Sequence, residues 1–80
     1  MTTQQRLQQV MRNVFFNDQL EIAPSMTALD VDGWDSLSHS MLLLDVEQEF
    51  SIELDIARVS ACRDIGELIS YIDSLQPQQP

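Results

Sequence analysis

Three side chains that could do chemistry lie close together in the stretch GWDSLSH. They are the Asp35 carboxylate, the Ser36 hydroxyl and the His39 imidazole. A serine one helical turn before a histidine could act as a nucleophile, but such a pair needs a third group to orient the histidine and a pocket that excludes water. The sequence offers no third group, and we expect both side chains to face water, without a pocket in so small a domain. The pattern therefore disfavours a hydrolase.

The acids of the segment DVDGWDS also fail to make a metal site. A helix-loop-helix calcium loop needs acidic or amide side chains at its first, third and fifth positions, glycine at the sixth and glutamate at the twelfth. Counted from Asp30, only the first two requirements are met. Zinc needs about four ligands, whereas the chain has one histidine, His39, and one cysteine, Cys62. We therefore predict no metal site.

Ser36 stands where a helix is expected to begin, and this position allows two interpretations. Serine and aspartate favour helix starts because their side chains accept free backbone N–H groups, so Asp35 or Ser36 could be a cap and nothing more. A helix N-terminus also stabilises an attached phosphate through its dipole and its unpaired N–H groups. Ser36 is then an accessible modification site, and the acids around it attract a basic modifying enzyme.

The chain is strongly acidic. It contains 13 acidic and 4 basic residues, which give a formal net charge of −9. Most of the acids lie between Arg12 and Arg58, a segment without any basic residue. This charge repels phosphate backbones, so we expect no nucleic-acid partner. It is typical of a solvated acidic face or of a surface that docks on a basic partner.

Length and composition predict one small domain. The chain has 80 residues, 44% of them hydrophobic, which is enough for a core. The single cysteine rules out an internal disulfide, and this suits the reducing cytoplasm, where we expect the protein to act. The N-terminus has no apolar run of signal-peptide length, and no segment approaches the roughly 20 apolar residues of a membrane span. We expect the domain to cover residues 1–75 and residues 76–80 to form a disordered tail.

The apolar periodicity predicts an all-α fold, a small bundle of three main helices and one short helix. The main helices are expected at residues 3–16, at residues 36–50 and from the cap Asp64 to about residue 75, and the short helix at residues 56–60. A long loop over residues 17–35 joins the first two helices. We expect four apolar residues to hold this loop against the core: Ile22, Met26, Leu29 and Val31.

The second helix carries apolar residues on two sides. One stripe recurs every four residues, at Leu42, Val46 and Phe50, and is expected to face the core. A second row lies on a different side and consists of Leu37, Met41, Leu44 and Gln48. A helix of this kind is either deeply buried or presents its second side to a partner.

These residues together resemble the acyl carrier protein family. The tripeptide Asp-Ser-Leu at residues 35–37 is common by itself, but here it opens an acidic helix that ends in Glu-Gln-Glu-Phe at residues 47–50. The spacing from Ser36 through Phe50 to Tyr71 is similar to that of bacterial fatty-acid carriers, with no gap needed. The resemblance covers nearly the whole chain and implies the helical bundle predicted above.

The resemblance implies a carrier and not an enzyme. A phosphopantetheinyl transferase would attach 4′-phosphopantetheine, taken from coenzyme A, to the Ser36 hydroxyl, with Asp35 helping to engage the transferase. The thiol of this cofactor would carry acyl groups as thioesters between enzymes of fatty-acid, polyketide or related biosynthesis. The cargo could also retreat between the helices. A monomer suits a carrier that visits several enzymes.

The resemblance also implies a partner surface on the second helix. Acids of this helix would meet basic patches on enzymes that load and process the acyl group. Ser40 and Met41 depart from the Val and Glu usual in fatty-acid carriers, which suggests a specialised carrier. Asp32 replaces the leucine usual before the glycine, so Leu29 or Val31 would take over its packing. The partner-binding residues expected are Asp35, Leu37, Ser40, Met41, Leu44, Asp45, Glu47, Gln48 and Glu49.

Two alternatives remain open at this stage. An aminoacyl or peptidyl carrier can also have Asp-Ser at this position, although peptidyl carriers usually show two glycines before it and this chain has only Gly33. The other alternative is an acidic helical adaptor that binds partners and is never modified. The adaptor predicts that Ser36→Ala is harmless, whereas a carrier loses all function with its fold intact.

Overall fold

The computed structural model describes residues 2–76 of the chain, which form four α-helices and no strand. They are α1 (Thr3–Val14), α2 (Ser36–Phe50), α3 (Ile56–Ser60) and α4 (Ile65–Leu75). Three longer helices and one short helix confirm the predicted all-α bundle. Spanning a bilayer takes about 20 apolar residues in one helix, and no helix described between residues 2 and 76 meets this requirement.

Side-chain caps define the helix starts. Thr2 and Gln5 form a capping box at the start of α1, in which each side chain bonds the other residue's backbone N–H. The carboxylates of Asp35, Asp55 and Asp64 cap α2, α3 and α4 in the same general way. Because these caps depend on residues a few positions apart, the starts of α2 and α4 could be predicted from the sequence and are confirmed.

The end of α1 differs from the prediction. The helix was expected to continue to residue 16, but it ends at Val14, and Phe15 is its C-terminal cap. Phe16 has a left-handed backbone with φ of +53° and an exposed side chain. The apolar pattern runs on through these two phenylalanines, whereas the chain has to turn there towards the loop.

The core is built from all four helices and from the loop. Its centre consists of side chains with no more than 1% exposure, namely Leu7, Met11, Leu42, Val46, Ile65 and Ile72. α1 packs against both α2 and α4. The predicted inward stripe of α2 is confirmed, because Leu42, Val46 and Phe50 are all buried.

Backbone groups of the loop between α1 and α2 form hydrogen bonds with α1 and with the start of α4. The Ile22 N–H donates to the Gln8 side chain of α1 at 2.9 Å, and the Met26 and Pro24 carbonyl oxygens each accept a backbone N–H from the start of α4 at 2.8 Å. Such bonds satisfy the loop's polar groups and fix its path across the bundle.

One of the predicted loop anchors is wrong. Ile22 and Val31 are buried and Met26 is partly buried against the core, but Leu29 is 97% exposed. The reason is a single 3₁₀ turn, Ala28–Asp30, capped by Thr27. This turn points Leu29 outwards and leaves Val31 to fill the core. The predicted tail lies outside the described residues, apart from Gln76, which forms the C-terminal cap of α4.

Candidate modification site

Ser36 is the first residue of α2, and the carboxylate before it caps the helix. Asp35 Oδ1 accepts the Ser38 backbone N–H at 2.9 Å. Hydrogen bonds from Ser38 are the main cause that lowers the pKa of Asp35 below its usual value. The capping role, which the sequence left open between two residues, therefore belongs to Asp35.

The Ser36 hydroxyl has no such structural task. The residue is exposed, and within residues 2–76 its hydroxyl makes no hydrogen bond. Its backbone carbonyl accepts the Ser40 hydroxyl at 3.1 Å. The side chain stands beside the unpaired N–H groups of the helix N-terminus, where negative charge is stabilised. It is therefore free for covalent attachment of a group that carries a phosphate.

The turn into α2 depends on Gly33. Its φ of +85° lies in the left-handed region that glycine adopts without a steric penalty. The Gly33 carbonyl oxygen accepts the Ser38 hydroxyl at 2.7 Å. Ser38 thus ties the loop to the first turn of the helix from both its backbone and its side chain, and this arrangement fixes where Ser36 stands.

Trp34 and His39 form a hydrogen-bonded pair on either side of Ser36 in the sequence. The indole N–H of Trp34 donates to His39 Nδ1 at 3.2 Å, and the two rings stack with 6.2 Å between their centroids. The indole also packs on Phe15, with 5.5 Å between ring centroids. His39 is half-buried, so the expectation of a water-facing histidine is wrong. Its Nδ1 is occupied and cannot take a proton from Ser36.

A cavity of about 160 Å³ opens next to this pair. Trp34 and His39 line one side, and α3 with the start of α4 supplies apolar walls through Val59, Ile65 and Leu68. The expectation that so thin a domain has no pocket is therefore wrong. Only the fold could reveal the cavity, because its walls come from segments that are distant in the sequence.

The outer face of α2 is uncharged. With 3.6 residues per turn, Leu37, Met41 and Leu44 fall on one side of the helix, and their side chains are 71%, 41% and 59% exposed. Ser40 and Gln48 are exposed as well. The row that the sequence placed away from the core is therefore open to solvent over the length of the helix.

The three acids of α2 lie beside this face, and two of them are bound within the chain. Glu49 forms an ion pair with Arg6 of α1 at 3.0 Å. Glu47 accepts the Leu54 backbone N–H at 2.8 Å. Asp45 is half-buried and lies at a shallow pocket that Asn13 of α1 also lines. The expected partner surface is thus an uncharged row with acids along its edges.

The fold defines a class. A four-helix bundle with a long first loop is the architecture of a carrier protein and not of an enzyme.

A solved structure is similar over nearly the whole chain. The solution NMR structure of the holo acyl carrier protein from Geobacter metallireducens matches with a TM-score of 0.86 and 29% sequence identity, covering 94% of this chain and 86% of that chain. No family model matches the sequence. The resemblance to acyl carrier proteins that the sequence indicated is therefore confirmed, and so is the fold that it implied.

Proposed function

We propose that the chain is an acyl carrier whose Ser36 receives 4′-phosphopantetheine and carries acyl intermediates of fatty-acid, polyketide or related biosynthesis as thioesters. The observation that supports this best is that Asp35, and not Ser36, caps the helix. Asp35 caps α2 through its carboxylate, while Ser36 is exposed. A serine that served only as a cap would be bound to the helix N–H groups itself.

The attachment would be a phosphoryl transfer catalysed by a separate transferase. The Ser36 oxygen attacks the phosphorus that bears the pantetheine chain of coenzyme A. A new P–O bond forms, the bond from the attacked phosphorus to the bridging oxygen of the pyrophosphate breaks, and adenosine 3′,5′-bisphosphate leaves with that oxygen. The serine proton passes to a base of the transferase. The product is a phosphodiester whose negative charge lies at the start of α2, where the helix dipole favours it.

The solved neighbour supports the same cofactor, because its description as a holo acyl carrier protein means the form that carries the prosthetic group. In this chain Asp35 uses Oδ1 for the cap, so Oδ2 is left to pair with a basic residue of the transferase or to lie near its metal ion. Asp35 would then have two tasks, one in the fold and one in recognition.

The enzymes that load and process the acyl group would dock on α2 and its edges. We expect Leu37, Met41 and Leu44 to make the central contacts, because they are exposed and uncharged. Ser40 and Gln48 extend this contact, and Asp45, Glu47 and Glu49 would face basic residues at its margin. An apolar centre of this kind supports a carrier that serves dedicated enzymes.

Intact-protein mass tests the proposal. The purified chain is incubated with coenzyme A, magnesium and a broad-specificity phosphopantetheinyl transferase. We expect one phosphopantetheine on the wild type and none on Ser36→Ala. Ser70→Ala is the matched control, since Ser70 is also an exposed helical serine, and it should be modified like the wild type. Helical circular dichroism checks that each variant is folded.

The opposite result would favour the unmodified adaptor. If the folded wild type gains no mass with several transferases, Ser36 is not an attachment point and the proposal fails. Modification of Ser36→Ala would contradict it as well, because the cofactor would then be on a different residue.

A further inference from the structure

Trp34 and His39 lie at the two ends of the first turn of α2. Asp35 is the N-cap of this helix, so Trp34 is the residue before the cap and His39 is the fourth residue of the helix. Apolar side chains at these two positions often pack on each other and fix the angle at which the chain enters a helix, an arrangement called a hydrophobic staple. Here the staple is polar, because the Trp34 indole N–H donates to His39 Nδ1 at 3.2 Å. Ser36 lies between its two ends.

The staple also joins the start of α2 to the end of α1. The Trp34 indole packs on Phe15, with 5.5 Å between ring centroids, and Phe15 is the C-terminal cap of α1. The His39 backbone N–H donates to the Asp35 carbonyl oxygen at 2.8 Å. The segment that carries Ser36 is therefore held to α1 through the indole and to α2 through the imidazole.

The hydrogen bond between the two rings requires a neutral imidazole. When Nδ1 of a neutral histidine accepts a hydrogen bond, Nε2 carries the proton. Protonation of His39 places an N–H on Nδ1, opposite the Trp34 indole N–H, and two donors cannot bond each other. A positive charge in the first turn of a helix is also opposed by the helix dipole. Because histidine changes its charge between about pH 5 and 8, the staple should open as the pH falls through this range.

The charged groups around His39 are of both signs. Arg63 and Asp64 line the half-open cavity beside the imidazole, so a guanidinium that opposes its protonation is accompanied by a carboxylate that favours it. Cys62 lines the same cavity, and burial raises the pKa of its thiol, which stays uncharged in this pH range. On α2 itself, the Asp35 carboxylate is engaged in the cap. The hydrogen bond is therefore what couples the charge of His39 to the position of the indole.

We propose that Trp34 and His39 form a pH-sensitive staple that positions Ser36 for the transferase, closed when His39 is neutral and open when it is protonated. The inference rests on the proposed function, because it assigns two positioning residues to the loading of Ser36. Neither residue touches the reacting atoms, and both act by fixing the segment around the serine. Loading should therefore weaken in mildly acidic solution for a reason that lies in the carrier and not in the transferase.

Nuclear magnetic resonance tests the staple in the unmodified chain, without any transferase. The chain has one tryptophan and one histidine, so each ring gives a single set of signals. Between about pH 8 and 5.5 we expect the Trp34 indole N–H signal to move with the same midpoint as the His39 ring protons. Exchange of the indole proton with water should accelerate about two- to ten-fold as the hydrogen bond is lost. In His39→Gln the amide oxygen accepts the same bond without titrating, so this step should vanish.

Loading kinetics over the same pH range test the positioning role. The ratio of each variant to the wild type at every pH removes the pH dependence of the transferase itself. Trp34→Phe keeps an aromatic ring against Phe15 but lacks the indole N–H. At the alkaline end its kcat/KM should be about two- to ten-fold below that of the wild type, through KM and not kcat, because only the positioned form docks. At the acidic end this deficit should disappear, because the wild-type staple is open as well.

Two further variants make the comparison specific. His39→Gln should match the wild type at the alkaline end and exceed it about two- to ten-fold at the acidic end, because its staple stays closed. Ser70→Ala, at an exposed position of α4, is the control, and its ratio to the wild type should stay near one at every pH. Helical circular dichroism checks that each variant is folded.

The outcomes separate this inference from the proposed function. An indole signal that does not follow the imidazole, or a step that persists in His39→Gln, would overturn the staple. If Trp34→Phe is loaded as well as the wild type at the alkaline end, or has the same deficit at every pH, the positioning role is wrong. If intact mass shows no phosphopantetheine on the folded wild type, the proposed function fails and the positioning role fails with it, whereas the resonance titration still decides whether the staple exists.

Discussion

Arg6 of α1 binds Glu49 at the end of α2 through two contacts. Its Nε lies 3.0 Å from the Glu49 carboxylate, and its Nη2 donates to the Glu49 carbonyl oxygen at 2.7 Å. The same guanidinium lies over the Phe50 ring, 4.3 Å from its centroid. One side chain therefore neutralises an acid of α2, satisfies a carbonyl near the helix end and covers an aromatic residue of the core.

We expect Arg6→Ala to lower the free energy of unfolding by about 1 kcal/mol, because it removes the cation–π contact and a charge-assisted hydrogen bond. The ion pair itself should contribute only about 0.2–1 kcal/mol, since its side chains are 31% and 44% exposed and water screens them. A double-mutant cycle of Arg6→Ala and Glu49→Ala, measured by urea unfolding at low and high salt, gives the contribution of the ion pair.

The coupling energy between Arg6 and Glu49 should decrease as salt is added. Arg63→Ala serves as the control, because Arg63 is exposed and forms no salt bridge within residues 2–76, and it should change stability by no more than about 0.5 kcal/mol. A coupling near zero at low salt would mean that the pair does not hold the two helices together in solution.

The ion pair between Arg6 and Glu49 also predicts that the acids of α2 contribute unequally to docking. With the transferase as probe, we expect Asp45→Asn to lower kcat/KM about two- to five-fold at low salt and to weaken its salt dependence. Glu49→Gln should have a smaller effect than Asp45→Asn, because Arg6 already neutralises part of the Glu49 charge. Met41→Ala should lower kcat/KM by a factor that salt does not change, because its contact is apolar.

Steady-state kinetics at two ionic strengths distinguishes these cases. The proposed docking surface would be wrong if Glu49→Gln had the largest effect of the three, or if Met41→Ala were indistinguishable from the wild type at both salt concentrations.

Asp35 should make stability depend on pH in the acidic range. Its pKa is lowered in the folded protein by hydrogen bonds from Ser38, so the ionised cap stabilises the fold above the pKa that aspartate has in the unfolded chain. This contribution is lost as the pH falls through the lowered folded pKa. Asp35→Asn keeps a side-chain acceptor without the charge. The wild type should therefore exceed this variant in melting temperature at neutral pH.

This difference in melting temperature should shrink as the pH is lowered through and below the normal range of aspartate. Comparing two proteins that share all other acids isolates Asp35 from the general effect of the negative charge. An equal difference at pH 7 and at strongly acidic pH would show that the carboxylate charge does not contribute to the cap.

Gly66 is required by a close contact with the loop. A Cβ at this position would lie 3.0 Å from the Pro24 carbonyl oxygen and 3.1 Å from Pro24 Cβ, and the Gly66 N–H donates to the same oxygen at 2.8 Å. Gly66→Ala should therefore destabilise the fold by about 1–3 kcal/mol, despite the better helix propensity of alanine. Urea unfolding measures the change.

Ser70→Ala, at an exposed position of the same helix, is the matched control and should be within about 0.5 kcal/mol of the wild type. Stabilisation by Gly66→Ala would mean that the loop does not pack on the start of α4 as described.

The features that could be predicted from the sequence are those set by local chemistry. α2 runs from Ser36 to Phe50, as expected, because a carboxylate cap and an apolar stripe with helical spacing act over a few neighbouring residues. The start of α4 followed from the cap Asp64 in the same way. The prominence of Ser36 followed from its place at an expected helix start, directly after Asp35.

Which apolar and acidic side chains are free was decided by the tertiary structure. Leu29 and Val31 are equally apolar in sequence, but the 3₁₀ turn exposes one and buries the other. In the sequence, nothing marks Glu47 and Glu49 as bound within the chain. In the structure, Glu47 accepts the Leu54 N–H and Glu49 pairs with Arg6.

By itself, the sequence determined the number and order of the helices, the bounds of α2, the Asp64 cap of α4 and the acidic charge. These depend on residue type and on spacing of one to four positions. The tertiary structure alone decided the cavity, because α3 and α4 supply walls that Trp34 and His39 only complete. Hydrophobic packing is not directional, so an apolar residue in the sequence does not reveal which neighbours it will meet or what space they will leave.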